Sequence, residues 1–91
     1  MLFSPLLVRM NERNKLPDVI DAFAACMRVR RAQAQLSQEE LAHRAGLSMS
    51  FVSLLETGKR QPTISTLAAI CRELDVPMTD FVADMETRLN S

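Results

Sequence analysis

Apolar residues recur along this chain at intervals of three and four, and each run is bounded by residues that start or stop helices. Ile20, Phe23, Ala24 and Met27 mark the buried face of a first helix, from near Pro17–Asp18 to about Ala34. Asp18 and Asp21 suit its positive end, while Arg28, Arg30 and Arg31 lie in its later half. Ser37 caps a second helix, and Glu40, three residues on, completes a capping box. That helix ends at Ala45, where Gly46 supplies the positive φ of a turn. Ser48 caps a third helix, which stops at Gly58 in the same way. Lys59-Arg60-Gln61-Pro62 is a loop, and Thr63 caps a fourth helix whose apolar set is Ile64, Leu67, Ala68, Ile70, Cys71 and Leu74. Asp75-Val76-Pro77 breaks the chain. A fifth helix follows from about Met78 to Leu89, with Phe81, Val82, Met85 and Leu89 on one side.

No run alternates cleanly enough for a strand. The pattern therefore predicts an all-α fold, a compact bundle of five helices. Residues 1–16 add either a loose arm or a short helix opened by Ser4-Pro5, with Leu6, Leu7 and Met10 on its apolar side. Residues 17–77 form the central domain, and residues 78–91 a C-terminal helix that is a candidate dimerisation element through Phe81, Met85 and Leu89.

The stretch from Gln38 to Gly58 constrains the chain most. Counting from Gln38, the fifth residue is Ala42 and the ninth is Gly46, while Leu41, Ala45, Leu47, Val52 and Leu55 fill the apolar positions. A small side chain at the crossing, a left-handed turn and a shared apolar seam are what a helix-turn-helix requires, and its second helix enters the DNA major groove. At about 100° per residue, Met49, Ser50, Ser53 and Thr57 share the free side of that second helix, with Leu54 and Phe51 flanking. Ser50 and Ser53 can donate or accept hydrogen bonds, whereas Met49 and Leu54 offer only apolar contact, for which a thymine methyl is the natural partner. The helix has no Arg, Lys, Asn or Gln, so direct readout should be modest and DNA shape should carry part of the specificity. The bland alternative is that Met49 and Leu54 shield the core or face a protein. Gln38, at the start of the preceding helix, is placed to hold a phosphate and brace the reading helix. Lys59 and Arg60 would clamp the DNA backbone, with Arg44 and His43 as weaker candidates.

Composition changes this picture in one respect. The 91 residues carry eleven basic and eleven acidic side chains, a formal net charge of zero, where a nucleic-acid binder often carries a basic surplus. The charges are segregated. Residues 1–60 hold nine basic and six acidic side chains, and residues 61–91 hold two and five. The basic part contains the helix-turn-helix, and the acidic end would sit away from DNA. Cys26 and Cys71 sit among apolar neighbours without a CxxC, which reads as two reduced core thiols. With one histidine and no glycine-rich phosphate loop, neither a metal, a cofactor, a small-molecule ligand nor an enzyme is expected. No segment is long enough to span a membrane, and MLFSPLLV lacks a basic leader and a cleavage site, so a cytoplasmic protein is expected.

These residues carry a resemblance. Arg31, the run LSQEELAHRAGLS, the run FVSLLETGKRQPT, and Leu67, Ile70 and Leu74-Asp75-Val76 resemble the helix-turn-helix repressors of the lambda and 434 phage repressor and Cro type, the XRE-like family. The likeness covers roughly residues 20–83. It implies a five-helix bundle that binds a double-stranded operator as a symmetric homodimer, with the recognition helix at residues 49–57. It implies that Gln38 contacts phosphate and base, that Met49, Ser50 and Ser53 read bases, and that Thr57, Lys59 and Arg60 touch the backbone. It also implies a buried pair, Arg31 with Glu56, tying the first helix to the end of the third. The chain departs from the family at Gln35, where Gly usually ends the first helix, and at Leu54, where a polar residue is common.

The expected function is a sequence-specific, DNA-binding transcriptional regulator. A protein-interaction adaptor or antitoxin-like partner on the same fold is the alternative, supported by Met49, Phe51, Leu54 and the zero net charge.

Overall fold

A computed structural model describes residues 16–90. The expected N-terminal arm or short helix falls almost wholly on residues 1–15, outside the described residues. Five helices follow: α1 (Leu16–Gln33), α2 (Gln38–Ala45), α3 (Met49–Glu56), α4 (Ile64–Glu73) and α5 (Met78–Leu89). No strand occurs among the described residues.

The starts of the helices obey local chemistry. The Ser37 hydroxyl accepts from the Glu40 N–H at 3.0 Å, and the Glu40 carboxylate accepts from the Ser37 N–H at 2.8 Å. That backbone donor holds the exposed Glu40 carboxyl below its ordinary value. Ser48 and Thr63 cap α3 and α4 through the N–H of Phe51 and of Thr66.

Four helix ends share one device. A left-handed residue follows α1, α2, α3 and α4, namely Gln35, Gly46, Gly58 and Asp75, with φ of 59°, 72°, 73° and 55°. The N–H of the next residue then reaches back to a carbonyl of the last turn: Leu36 to Arg31, Leu47 to Ala42, Lys59 to Leu54 and Val76 to Cys71. This is the Schellman arrangement. Glycine meets the conformation without strain at two of the four. At the other two, a residue with a Cβ adopts it at a cost of about 1 kcal/mol. The Gln35 junction therefore keeps the geometry of a glycine turn without the glycine.

The core is one cluster drawn from all five helices and their turns, including Phe23, Met27, Leu41, Val52, Leu55, Ile70 and Phe81. The α1 helix packs on α3 and α5, α2 on α3 and α4, and α4 on α5. Ala42, almost fully buried, lets α2 and α3 approach. The apolar set expected of α4 needs one correction: Ile64 and Ala68 are exposed, Ile64 to 75%, because they lie four apart at the edge of the stripe whose centre, Leu67, Ile70, Cys71 and Leu74, enters the core. Cys26 and Cys71 are free and buried, and burial pushes both thiols up from their ordinary values. No described helix is long and apolar enough to cross a membrane.

Candidate nucleic-acid interface

Glu56 organises the site. It is only 2% exposed although charged, and it closes α3. Burying a carboxylate is tolerable only with full hydrogen bonding, and two helices supply it. Arg31 from α1 grips both oxygens, Nε to Oε2 at 2.6 Å and Nη2 to Oε1 at 2.9 Å, and donates its Nη1 to the Leu36 carbonyl. Gln38 from α2 donates Nε2 to Oε1 at 3.0 Å. Arg28, one turn before Arg31 on α1, donates to the Glu56 backbone carbonyl. The hydrogen bonds to Glu56 raise the Arg31 guanidinium above its usual value. Two helices, α1 and α2, thereby fix the end of α3, and no buried side-chain nitrogen or oxygen among the described residues lacks a partner.

With Val52, Leu55 and Glu56 turned inward, the opposite arc of α3 is free. Met49 is 53% exposed and Ser50 exposed, while Ser53 and Leu54 are half-buried. Thr57 is exposed, but its hydroxyl lies 2.9 Å from the Ser53 carbonyl and 3.3 Å from that of Leu54. A hydroxyl has one proton, so a phosphate oxygen must compete with the helix for it.

Beyond α3 the chain departs from the pattern of the other helix ends. The residue after the left-handed position is apolar and at least half-buried at Leu36, Leu47 and Val76. After α3 it is the exposed Lys59. The N–H groups of both Lys59 and Arg60 converge on the Leu54 carbonyl, at 3.0 and 3.2 Å. The Arg60 guanidinium lies 5.9 Å from the centre of the Phe51 ring, within reach of a cation–π contact. The backbone of α3 thus fixes the start of the loop that carries both cations, and the Phe51 ring lies beside the Arg60 guanidinium.

The structure gathers Gln38, Met49, Ser50, Ser53, Leu54, Thr57, Lys59 and Arg60 on and around α3. Arg44 stands apart. It lines a separate depression of about 410 Å³ with Arg30, Gln33, Glu73 and Asp75, and lies six residues, about 9 Å of helix rise, from Gln38. Phe81 is also corrected as a dimerisation candidate. It is fully buried and packs on Phe23 with ring centroids 5.6 Å apart, so its own chain covers it. Met85 and Leu89 remain half-buried, and the neighbouring Val82 is 41% exposed. Sequence reasoning missed the roles of Arg28 and Phe51. The run Arg28, Arg30, Arg31 was the available signal for the first, but its partner is 28 positions away.

Two short crossed helices, a left-handed turn and a braced second helix with a free arc define a helix-turn-helix domain. A helix-turn-helix family model matches residues 27–81, and the chain belongs to that family, in its XRE-type branch. Over 52 residues it is 40% identical to an uncharacterized HTH-type transcriptional regulator, y4dJ, of Sinorhizobium fredii, spanning 57% of this chain and 68% of that protein. Over 68 residues it is 28% identical to the cryptic phage CTXphi transcriptional repressor RstR of Vibrio cholerae, spanning 75% of this chain and 61% of that one. The fold matches the clp gene regulator ClgR of Corynebacterium glutamicum with a TM-score of 0.76 at 25% identity, covering 79% of this chain and 77% of that one. It matches the restriction-modification controller protein C.Esp1396I with a TM-score of 0.75 at 22% identity, covering 80% and 96%.

Proposed function

We propose that this protein is a sequence-specific, DNA-binding transcriptional regulator that acts as a homodimer on a double-stranded operator. The observation that carries the reading is the end of α3, where exposed Lys59 and Arg60 replace the apolar closure of the other helices beside a free helical arc. In this reading α3 enters the major groove, and Met49, Ser50, Ser53 and Leu54 meet base edges. Lys59, Arg60 and the start of α2 hold phosphates, which position the helix but carry no sequence information. Thr57 contributes only where a phosphate displaces its contact with Ser53. The regulators and repressors among its relatives support the same reading. A homodimer contact through Met85, Leu89 and the exposed Val82 on α5 would present two copies of α3 to half-sites ~34 Å apart.

The adaptor or antitoxin-like reading draws on the exposed Met49, an unusual side chain to leave in water on a reading helix. Affinity for random duplex DNA across a salt series separates the two. Release of counterions requires binding to weaken steeply as salt rises. The Arg60→Ala variant should bind all sequences more weakly and flatten the log–log salt slope by about one. Absence of binding at low salt would sink the regulator reading and leave the adaptor.

A further inference from the structure

We infer that α3 reads its site through C5-methyl groups, so that thymine and 5-methylcytosine are equivalent at the base facing Met49. The inference rests on the DNA-binding reading above and names the chemical class of its target.

The argument starts from which polar groups remain to discriminate bases. The free arc of α3 runs from Met49 through Ser53, Thr57 and Ser50 to Leu54, apolar at both edges. Thr57 has its single proton directed at the Ser53 carbonyl. The Gln38 amide gives one N–H to Glu56 and, at the head of α2, falls to phosphate in the reading above. Ser50 and Ser53 remain, and a hydroxyl that can donate or accept serves any base. Discrimination therefore falls to the apolar edges. Of these, Leu54 is half-buried, while Met49 is 53% exposed in the first turn of α3.

In the major groove, the apolar group offered by an unmodified base pair is the thymine C5-methyl. A cytosine methylated at C5 carries the same group on the same ring atom. The two bases differ next to it, where thymine has the O4 acceptor and cytosine the N4 amino donor. A thioether is no donor and a weak acceptor, so Met49 has little means of telling them apart. Covering one methyl group is worth about fourfold in affinity, from about 0.8 kcal/mol per buried carbon.

The test uses the full chain. Duplexes are first selected from a random pool. In the enriched sequence, each thymine is replaced by uracil, and separately each T·A pair by C·G with and without a C5-methyl. Affinities are measured at one salt concentration. Thymine should exceed uracil, and 5-methylcytosine should exceed cytosine, by about fourfold at the same position. Met49→Ala should bring both ratios to one, and Arg72→Ala, at an exposed position of α4, should leave them. Ratios of one at every position, or ratios that survive Met49→Ala, overturn the methyl proposal while the DNA-binding reading stands. A pool that yields no enriched duplex overturns both.

Discussion

Arg30 and Arg31 are adjacent in sequence and each pairs with a carboxylate, yet they serve opposite sides of α1. Arg31 turns toward α3 and meets the buried Glu56, with side-chain exposures of 20% and 2%. Arg30 turns toward α5 and meets Asp84, at 30% and 44%. The α3 side is sealed, with Gln38 and Arg28 converging on Glu56 and Asp21 pressed against Gly58. The α5 side combines the Phe23–Phe81 ring contact with an open groove of about 430 Å³ lined by Cys26, Val29, Gln33, Thr87 and Arg88. Similar chemistry at two depths has different worth. Water screens the outer pair, while the inner pair leaves an uncompensated charge if one partner goes. The side that fixes the end of α3 is the one with the buried pair.

Three substitutions probe that contrast, in order of expected effect. Glu56→Ala should destabilise the fold by about 3–5 kcal/mol, since Arg31 is left without its partner in a desolvated site. Urea unfolding measures this, and a loss under about 1 kcal/mol would mean that water reaches the junction. Gly58→Ala should cost about 1–3 kcal/mol through the left-handed backbone, and more than Gly46→Ala. A Cβ at position 58 would stand 2.9 Å from the Asp21 carboxylate, whereas nothing lies within 4 Å at position 46. Equal melting shifts for the two glycine variants would remove Asp21 from the account. Asp84→Asn should change stability by about 1 kcal/mol at most, and the difference should shrink in high salt. A salt-insensitive loss as large as that of Glu56→Ala would erase the distinction between the two sides.

What the sequence made legible follows from the range of each interaction. Caps at Ser37, Ser48 and Thr63 act within three residues, so α2, α3 and α4 could be started correctly from local spacing. The inward faces of α1 and α3 followed from helical period. Helix ends were partly hidden. Gly46 and Gly58 announce a left-handed turn, but Gln35 and Asp75 adopt it too, each followed by a residue buried in the core, Leu36 and Val76. Periodicity also marks an apolar side without saying what covers it, so Phe81 could pass for a surface residue while lying deep in its own core. The Arg28 contact with the Glu56 carbonyl and the cation–π contact of Arg60 with Phe51 join groups far apart in sequence or on opposite sides of a turn. Only the folded chain displays them.

The division of α3 into a braced arc and a free arc bears on how such a protein changes over time. Val52, Leu55 and Glu56 answer to the rest of the molecule, and Met49, Ser50, Ser53 and Leu54 answer mainly to whatever lies outside it. Replacing the second set leaves every contact of Glu56 in place. Under the proposed function, a descendant chain could therefore exchange its target in a few steps while inheriting its scaffold, and an engineer could exchange the same four residues on this frame by the same route.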